Sequence, residues 1–244
     1  MMRTRFSVAG VVGLVVAVTG AVGLVLWSPF AANAQESGPT LEALREAVAT
    51  LPAGRFARPS SYDTATPGQQ AYVRGILSGP RNAISGPLAA MVASPGLGDA
   101  AQRTMAYARF AGTAGAGSVP PRLNELAILM AARSWSSEYV WNAHARYAVR
   151  MGLATEVVES IRLGQRPAAM EPDVAAVYRL LSELLEARRV SDASFEAARS
   201  ALGGDRELID LVGTFAIYSM TAVLAVVDQT VVAPDYVPQL PPLK

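Results

Sequence analysis

The chain has 244 residues, of which 51% are hydrophobic and 17% charged, with a formal net charge of +1, one histidine and no cysteine. This length suffices for one or two domains with a hydrophobic core, and the composition excludes a disordered protein. The lack of cysteine excludes disulfide scaffolds and thiol nucleophiles, and a single histidine excludes metal centres that need two imidazoles. The balanced charge argues against a nucleic-acid-binding protein.

The first 34 residues have the composition of an export signal. Arg3 and Arg5 precede an uncharged run over residues 8–27, and Ala32-Asn33-Ala34 forms a small-x-small cleavage site. This pattern predicts a signal peptide over residues 1–34. The run is also long enough to span a bilayer, so an uncleaved N-terminal anchor is the alternative, and in that case alone a membrane contact is predicted. Both alternatives predict a periplasmic or secreted protein.

The segment after the signal predicts an arm rather than a domain. Four prolines interrupt residues 35–69, and the one helix predicted there is Leu41–Ala49, with Thr40 as its N-cap. At the other end, residues 233–244 form a proline-rich tail without periodicity. The remaining residues, 70–232, form the predicted domain.

Apolar residues in this domain recur at spacings of three and four, the periodicity of amphipathic helices. No useful stretch alternates with period two, so the predicted fold class is all-α. The predicted elements, in chain order, are a helix from Gly68, a segment broken at Pro87, helix Leu97–Phe110, a glycine-rich loop at 111–118, a helix opened by Pro120-Pro121, a helix over about Ser136–Met151, a helix capped by Thr155, and helices Asp173–Arg189, Ala193–Leu202 and Asp205–Val227.

The segment Arg122–His144 carries a specific motif, whose residues are Glu125, Glu138, Tyr139, Trp141 and His144, followed by Gly152-Leu153. This motif resembles the cysteine-free branch of the carboxymuconolactone decarboxylase family, within the alkyl hydroperoxidase D-like superfamily. The resemblance is most specific over residues 120–165 and extends loosely over 70–232. It implies an alkyl hydroperoxidase D-like helical domain that assembles into trimers or hexamers and needs no metal or organic cofactor.

The peroxidase branch of that superfamily has a Cys-x-x-Cys pair between the glutamate and the histidine. Ser137 and Val140 stand at the corresponding positions of this chain. Serine cannot cycle through a disulfide and valine has no chemistry, so thiol peroxidase activity is excluded. The cysteine-free branch often has an acid where Val140 stands, which leaves the reaction within that branch open.

His144 is the predicted general acid and base, because histidine exchanges protons readily near neutral pH. Glu125 precedes it on the neighbouring antiparallel helix, so we expect its carboxylate to reach His144, stabilise the charged imidazole and fix its tautomer. The alternative for Glu125 is a structural ion pair with Arg122 or Arg133.

The motif also makes Glu138 a catalytic candidate. A regular helix separates it from His144 by about 120°, and its alternative is an acid placed by the helix dipole. Trp141 and Tyr147 share a helix face with His144, and with Ser137 they are the predicted substrate-binding residues. Core packing is the alternative for both aromatic residues.

The resemblance implies a decarboxylase-like enzyme without a cofactor, a carbon–carbon lyase or proton-transfer catalyst that acts on a small carboxylated lactone or enol-type compound. Its partners are then a small-molecule substrate and further copies of the chain. The alternative is a non-catalytic small-molecule binding or assembly protein on the same scaffold. Four arginines are candidates to bind a substrate carboxylate: Arg109, Arg122, Arg133 and Arg146.

Overall fold

The computed structural model describes residues 38–81, 83–110, 119–232 and 240–243. These residues contain helices and no strand, which confirms the predicted all-α class. The predicted signal peptide at 1–34, the glycine-rich loop at 111–118 and most of the tail lie outside the described residues.

Ten α-helices and one 3₁₀ turn, Met91–Ala93, make up the described part of the chain. The α-helices are α1 (Leu41–Ala49), α2 (Pro67–Leu77), α3 (Pro87–Ala90), α4 (Pro95–Phe110), α5 (Pro121–Ser134), α6 (Glu138–Arg150), α7 (Thr155–Arg162), α8 (Pro172–Ala187), α9 (Asp192–Leu202) and α10 (Asp205–Asp228). Proline stands at the first helical position of α2, α3, α5 and α8, where its missing N–H costs no hydrogen bond.

Several helix bounds differ from the predicted ones by one or two residues: α4 begins at Pro95 instead of Leu97, and α8 ends at Ala187 instead of Arg189. Two further starts differ for a reason that the backbone shows. Helix α6 begins at Glu138, after Ser137 as N-cap, because Ser136 has a φ of 48° and lies outside the helical region. Thr155 is the first residue of α7 and not its cap; the extended backbone that defines an N-cap belongs to Ala154. The predicted cap Thr40 is confirmed, since its side chain accepts a backbone N–H of α1, and Ser191 caps α9 in the same way.

Helix α5 forms the centre of the core. Every residue from Leu123 to Arg133 is buried, polar ones included. The helix packs against α6, α7, α8 and α10, and more loosely against α4. A helix covered on all sides has no solvent face, which is why its polar residues must find partners inside the protein.

Helix α10 has the length and composition of a helix that could cross a membrane, and it is the one helix among the described residues with both properties. Its inner side is buried against α3, α4, α5, α6 and α9 through residues that include Leu211, Tyr218 and Ala222. These contacts are those of a core helix. Its outer side leaves Ile209, Val226 and other apolar residues exposed.

The arm contributes to the same core as the helical domain. Leu44 and Val48 of α1 are buried, and so is Tyr62 from the irregular chain that follows. The described residues all belong to one compact unit. The arm is therefore packed on the domain over its described length.

A buried carboxylate holds the arm to the end of α10. Asp228 is fully buried and accepts hydrogen bonds from both terminal nitrogens of Arg58, at 3.1 and 2.7 Å, and from the Phe56 amide at 3.0 Å. The Thr230 hydroxyl donates a further bond at 3.1 Å. Gly54 permits this close approach, because a Cβ atom there would lie 2.3 Å from Asp228 Oδ2. We call these residues the Asp228 cluster.

Candidate active site

Helices α5 and α6 form an antiparallel hairpin that brings two motif residues together. Glu125 Oε2 lies 2.8 Å from His144 Nδ1, and both side chains are almost fully buried, at 3% and 5% exposure. The turn between the helices is tight: the Ser137 amide donates to the Ala132 carbonyl at 2.9 Å. The predicted approach of Glu125 to His144 is thus confirmed, whereas their catalytic roles stay predictions.

The alternative ion pairs for Glu125 do not form. Arg122 binds Glu171 and Asp173 instead, at the start of α8. Arg133 is buried and donates to the Ser136 hydroxyl at 3.3 Å. The carboxylate of Glu125 therefore has the imidazole as its described partner.

The hydrogen bond orients the imidazole and assigns its proton. An ionised carboxylate only accepts, so Nδ1 of His144 carries the hydrogen and donates it to Glu125. The second ring nitrogen, Nε2, makes no hydrogen bond to any described residue, and His144 lines a cavity. In the neutral ring Nε2 is thus an unoccupied base, and in the charged ring it is a donor.

The cavity beside His144 has a volume of about 270 Å³. Helices α4, α6 and α10 and the segment before α3 supply its lining, which includes Arg81, Ser85, Leu88, Met105, Arg109, Phe110, Tyr139, Val140, Tyr218 and Thr221. A space of this size accepts a small organic molecule, and the mixture of apolar walls with a few polar groups is typical of ligand sites. Val140, the residue that replaces an acid in the motif, is part of this wall.

Tyr218 adds a hydroxyl to the cavity. Its ring meets the His144 ring edge-on, with centroids 5.1 Å apart and planes at 80°. Burial raises the pKa of Tyr218 and outweighs the opposing positive charge of Arg109; the negative charge of Glu125 raises the pKa further, and Arg81 lowers it slightly. The hydroxyl is therefore protonated at neutral pH, and it makes no hydrogen bond within the described residues. It is available to donate to a ligand.

Two guanidinium groups also line the cavity. Arg81 comes from the segment between α2 and α3, and Arg109 from the last turn of α4. Each guanidinium carbon lies 5.3 Å from the centroid of the Phe110 ring. No carboxylate among residues 38–81, 83–110, 119–232 and 240–243 forms an ion pair with either arginine.

Glu138 and Ser137 lie outside this cavity. Both line a separate, smaller hollow of about 180 Å³ that Thr230 also borders. One carboxylate oxygen of Glu138 accepts the Leu240 amide of the tail at 2.6 Å. The structure therefore separates Glu138 from His144, as the helix geometry predicts, and does not support the motif-based assignment of a catalytic role. The Ser137 hydroxyl is buried without a partner in the described residues, likewise away from the cavity.

The two predicted aromatic residues also lie outside the cavity lining. Trp141 is among the largest fully buried side chains, so its core alternative describes it better. Tyr147 is half-buried, with the guanidiniums of Arg109 and Arg150 5.7 and 5.4 Å from its ring centroid. Both share the α6 helix with His144, but a shared helix face is wide enough to meet the core as well as a cavity.

Sequence reasoning missed Arg81 and the role of Tyr139 and Val140 as walls. Arg81 stands in an irregular segment far from the motif, and no local pattern marks it. Of the four arginines considered, Arg109 alone lines the cavity. No local pattern relates Tyr218 to the motif, since its approach to His144 depends on how α10 packs on α5 and α6.

No grouping of three or more histidine, aspartate or glutamate side chains suited to a metal ion occurs in the described residues. Comparison with known proteins adds no identity: no model of a protein family matches the chain, and no curated protein is significantly similar to it. The site must accordingly be interpreted from its own geometry.

Proposed function

We propose that the protein is a cofactor-independent acid–base enzyme of the carboxymuconolactone decarboxylase type, acting on a small carboxylated lactone or enol-type compound. The observation that carries this proposal is the Nε2 atom of His144, which Glu125 orients from behind and which borders a 270 Å³ cavity. A buried, oriented imidazole beside a ligand-sized space is the arrangement that proton transfer requires.

In the proposed reaction the bond between the substrate carbon and its leaving carboxylate breaks, and CO₂ departs. The electron pair moves onto the adjacent carbonyl oxygen as an enolate, which the Tyr218 hydroxyl stabilises by donating a hydrogen bond. The charged His144 then gives its Nε2 proton to the carbon, and Glu125 stabilises the charged ring until that step. A proton from water restores His144, so one proton is consumed for each CO₂ released.

Isomerisation uses the same groups in a different order. There the neutral Nε2 removes a proton from one carbon and returns it to another, without loss of CO₂. The lining is compatible with both versions, because each needs one acid–base group and one donor to the oxygen. The experiment must therefore follow both CO₂ and the transferred hydrogen.

The test is turnover of a panel of carboxylated lactones and β-keto acids in D₂O, with CO₂ release and deuterium incorporation measured together. We expect wild-type turnover above the spontaneous rate and a loss of roughly 10²–10⁴-fold in His144→Ala. The matched control is Glu138→Gln, which changes a motif acid outside the cavity and is expected to stay within about threefold of wild type. Equal turnover in wild type and His144→Ala would contradict the proposal.

A second candidate, ligand binding without turnover, is favoured by Val140. This wall position is apolar here, so the cavity has a single acid–base group where decarboxylase-like proteins often have an additional acid. Binding of panel compounds without CO₂ release or deuterium incorporation would favour this candidate over the enzyme.

Export and self-association complete the proposal. Export is supported by the signal-like segment 1–34, and assembly into trimers or hexamers by the resemblance. The apolar residues on the outer side of α10 also support self-association; Ile209 is 70% exposed. A monomer in sedimentation at micromolar concentration would contradict the assembly without affecting the chemistry proposed for His144.

A further inference from the structure

The cavity holds two positive charges that form no ion pair with a carboxylate in the part of the chain that the structure describes. Arg81 and Arg109 reach it from different elements and flank one ring, that of Phe110. Both side chains are partly buried, so water replaces a missing carboxylate incompletely. Arg58 and Arg122, by contrast, are paired with carboxylates outside the cavity.

The protein holds these like charges together at a cost in free energy. Burial lowers the pKa of Arg81, and although Tyr218 opposes this effect, the neighbouring charge of Arg109 lowers the pKa further. Arg81 receives little in return from the protein: one nitrogen donates to the Gln102 carbonyl at a long 3.5 Å. An anion bound in the cavity would offset this positive charge and accept hydrogen bonds from the guanidiniums.

We propose that Arg81 and Arg109 form a carboxylate-binding subsite, with Phe110 as its floor, that orients a small, flat organic acid against His144. The inference rests on the proposed function in one respect: it takes this cavity as the place where substrate binds. It adds the residues that select the substrate, and it makes a carboxylate group a requirement for binding.

The geometry favours a flat acid over a compact inorganic anion. Guanidinium groups form parallel hydrogen bonds to the two oxygens of a carboxylate. Both guanidiniums lie over the Phe110 ring, so the carbon skeleton of a bound acid would meet the rest of the lining. The remaining wall, formed by Leu88, Met105 and Val140, is apolar. A ligand with one charged end and an unsaturated body therefore matches the lining better than phosphate or sulfate does.

His144 is the only histidine in the chain, which gives the subsite a site-specific reporter. The probes are benzoate and 2-furoate, with benzamide and 2-furamide as neutral counterparts of the same shape. They are titrated into full-length protein without a histidine tag while the imidazole ¹⁵N signals of His144 are followed. We expect saturable shifts with both acids at roughly millimolar affinity and none with the amides.

Two variants test the arginines. Arg81→Gln and Arg109→Gln are each expected to weaken benzoate binding at least about tenfold, because each removes one charge-assisted contact. Arg103→Gln is the matched control: it lies on α4 with Arg109 but is exposed and paired with Asp99, and it should bind benzoate as wild type does. Unchanged imidazole signals in the free variants verify folding, and Arg81→Lys, which keeps the charge, should lose less affinity than Arg81→Gln.

Three results would overturn the subsite: equal binding of acids and amides, wild-type affinity in both glutamine variants, or no saturable shift with either acid. The subsite and the proposed function fail separately. Binding of carboxylates through the arginines without His144-dependent turnover would support the subsite and contradict the proposed enzyme activity. Turnover of neutral substrates with an unchanged KM in Arg81→Gln would support the enzyme activity and contradict the subsite.

Discussion

Two buried charged groups of this protein differ in how completely the fold satisfies them. In the Asp228 cluster, four donor groups from Arg58, Phe56 and Thr230 surround one carboxylate. At the Glu125–His144 pair, one hydrogen bond joins the partners, and the outer nitrogen of the ring borders a cavity. The described residues satisfy the Asp228 carboxylate with several donors, whereas Nε2 of His144 has no hydrogen-bond partner among them. We call the first arrangement the closed cluster and the second the open pair.

A buried polar group without a partner costs about 1–3 kcal/mol. The Asp228 carboxylate avoids this cost, whereas His144 Nε2 and the Tyr218 hydroxyl have no hydrogen-bond partner among the described residues. Both residues line the same cavity as Arg81 and Arg109, which supports the ligand site that we propose there. The Ser137 hydroxyl lacks a partner away from this cavity, so the argument depends on the shared lining and not on a missing bond alone.

The largest expected effect breaks the open pair while leaving the closed cluster intact. Glu125→Gln replaces a pure acceptor by an amide that can donate to Nδ1, so the imidazole proton moves to Nε2 and the base is lost. We expect kcat to fall by about 10²–10⁴-fold. The tautomer is read from the imidazole ¹⁵N signals of the single histidine. If Glu125 had a purely structural role, Glu125→Gln would leave the tautomer unchanged.

The Glu138→Gln variant serves again as control, because its carboxylate binds the Leu240 amide and not the imidazole. It should keep the wild-type tautomer and kcat. If Glu125→Gln also keeps both, Glu125 is not the residue that orients His144.

The closed cluster is broken by Asp228→Ala. This change removes every described hydrogen bond to the carboxylate and leaves Arg58, which is 11% exposed, without its counter-ion. We expect a loss of about 3–5 kcal/mol in the free energy of unfolding, measured by urea denaturation. Benzoate affinity of the folded variant should change less than about twofold, because the cluster lies outside the cavity. A loss below about 1 kcal/mol would show that the cluster does not hold the arm.

Acid titration measures how much of the stability from the Asp228 cluster depends on the charge of its carboxylate. Burial by itself raises the pKa of Asp228, but the hydrogen bond from Arg58, the Phe56 amide and the Arg58 charge outweigh it and lower the pKa below its ordinary value of 3.8. The ionised carboxylate therefore stabilises the fold above pH 3.8, and this contribution is lost as the pH falls through the lower, folded-state pKa. The difference in unfolding free energy between wild type and Asp228→Asn should shrink over that range. A difference independent of pH would contradict the assignment.

The smallest effect is expected for an ion pair that lies outside both the Asp228 cluster and the Glu125–His144 pair. Arg45 and Asp63 also join α1 to the following chain, at 2.9 Å, but their side chains are 54% and 55% exposed. Asp63→Asn should change the free energy of unfolding by only about 0–1 kcal/mol in urea denaturation. A loss comparable to that of Asp228→Ala would mean that contact with the arm, rather than burial, determines the energy.

Local patterns predicted the helices because each pattern acts within a few residues. Thr40 and Ser191 cap their helices through their own neighbours, and the prolines before α5 stand where a helix tolerates them. The α5–α6 hairpin was also predictable, because a short turn forces the two helices to pack antiparallel. This packing brings Glu125 to His144.

The rest of the site depends on packing between distant segments. Arg81 enters from an irregular segment and Tyr218 from α10, and no spacing in the sequence relates either of them to His144. The failure at Glu138 has the opposite cause, because a motif position was carried over although the residue points toward the tail. Trp141 shows that a helix face shared with His144 does not decide between core and cavity.

The complete burial of α5 has a consequence for how the protein can change over evolutionary time. Glu125 is the third of eleven consecutive buried residues, so nearly every substitution around it disturbs packing before it alters chemistry. The irregular segment before α3 also borders the cavity, and its residues Ala83 and Ser85 are exposed, whereas Ile84 and Gly86 are held by packing. If this cavity binds the substrate, divergence in substrate preference is expected at Ala83 and Ser85, while Glu125 stays fixed within α5.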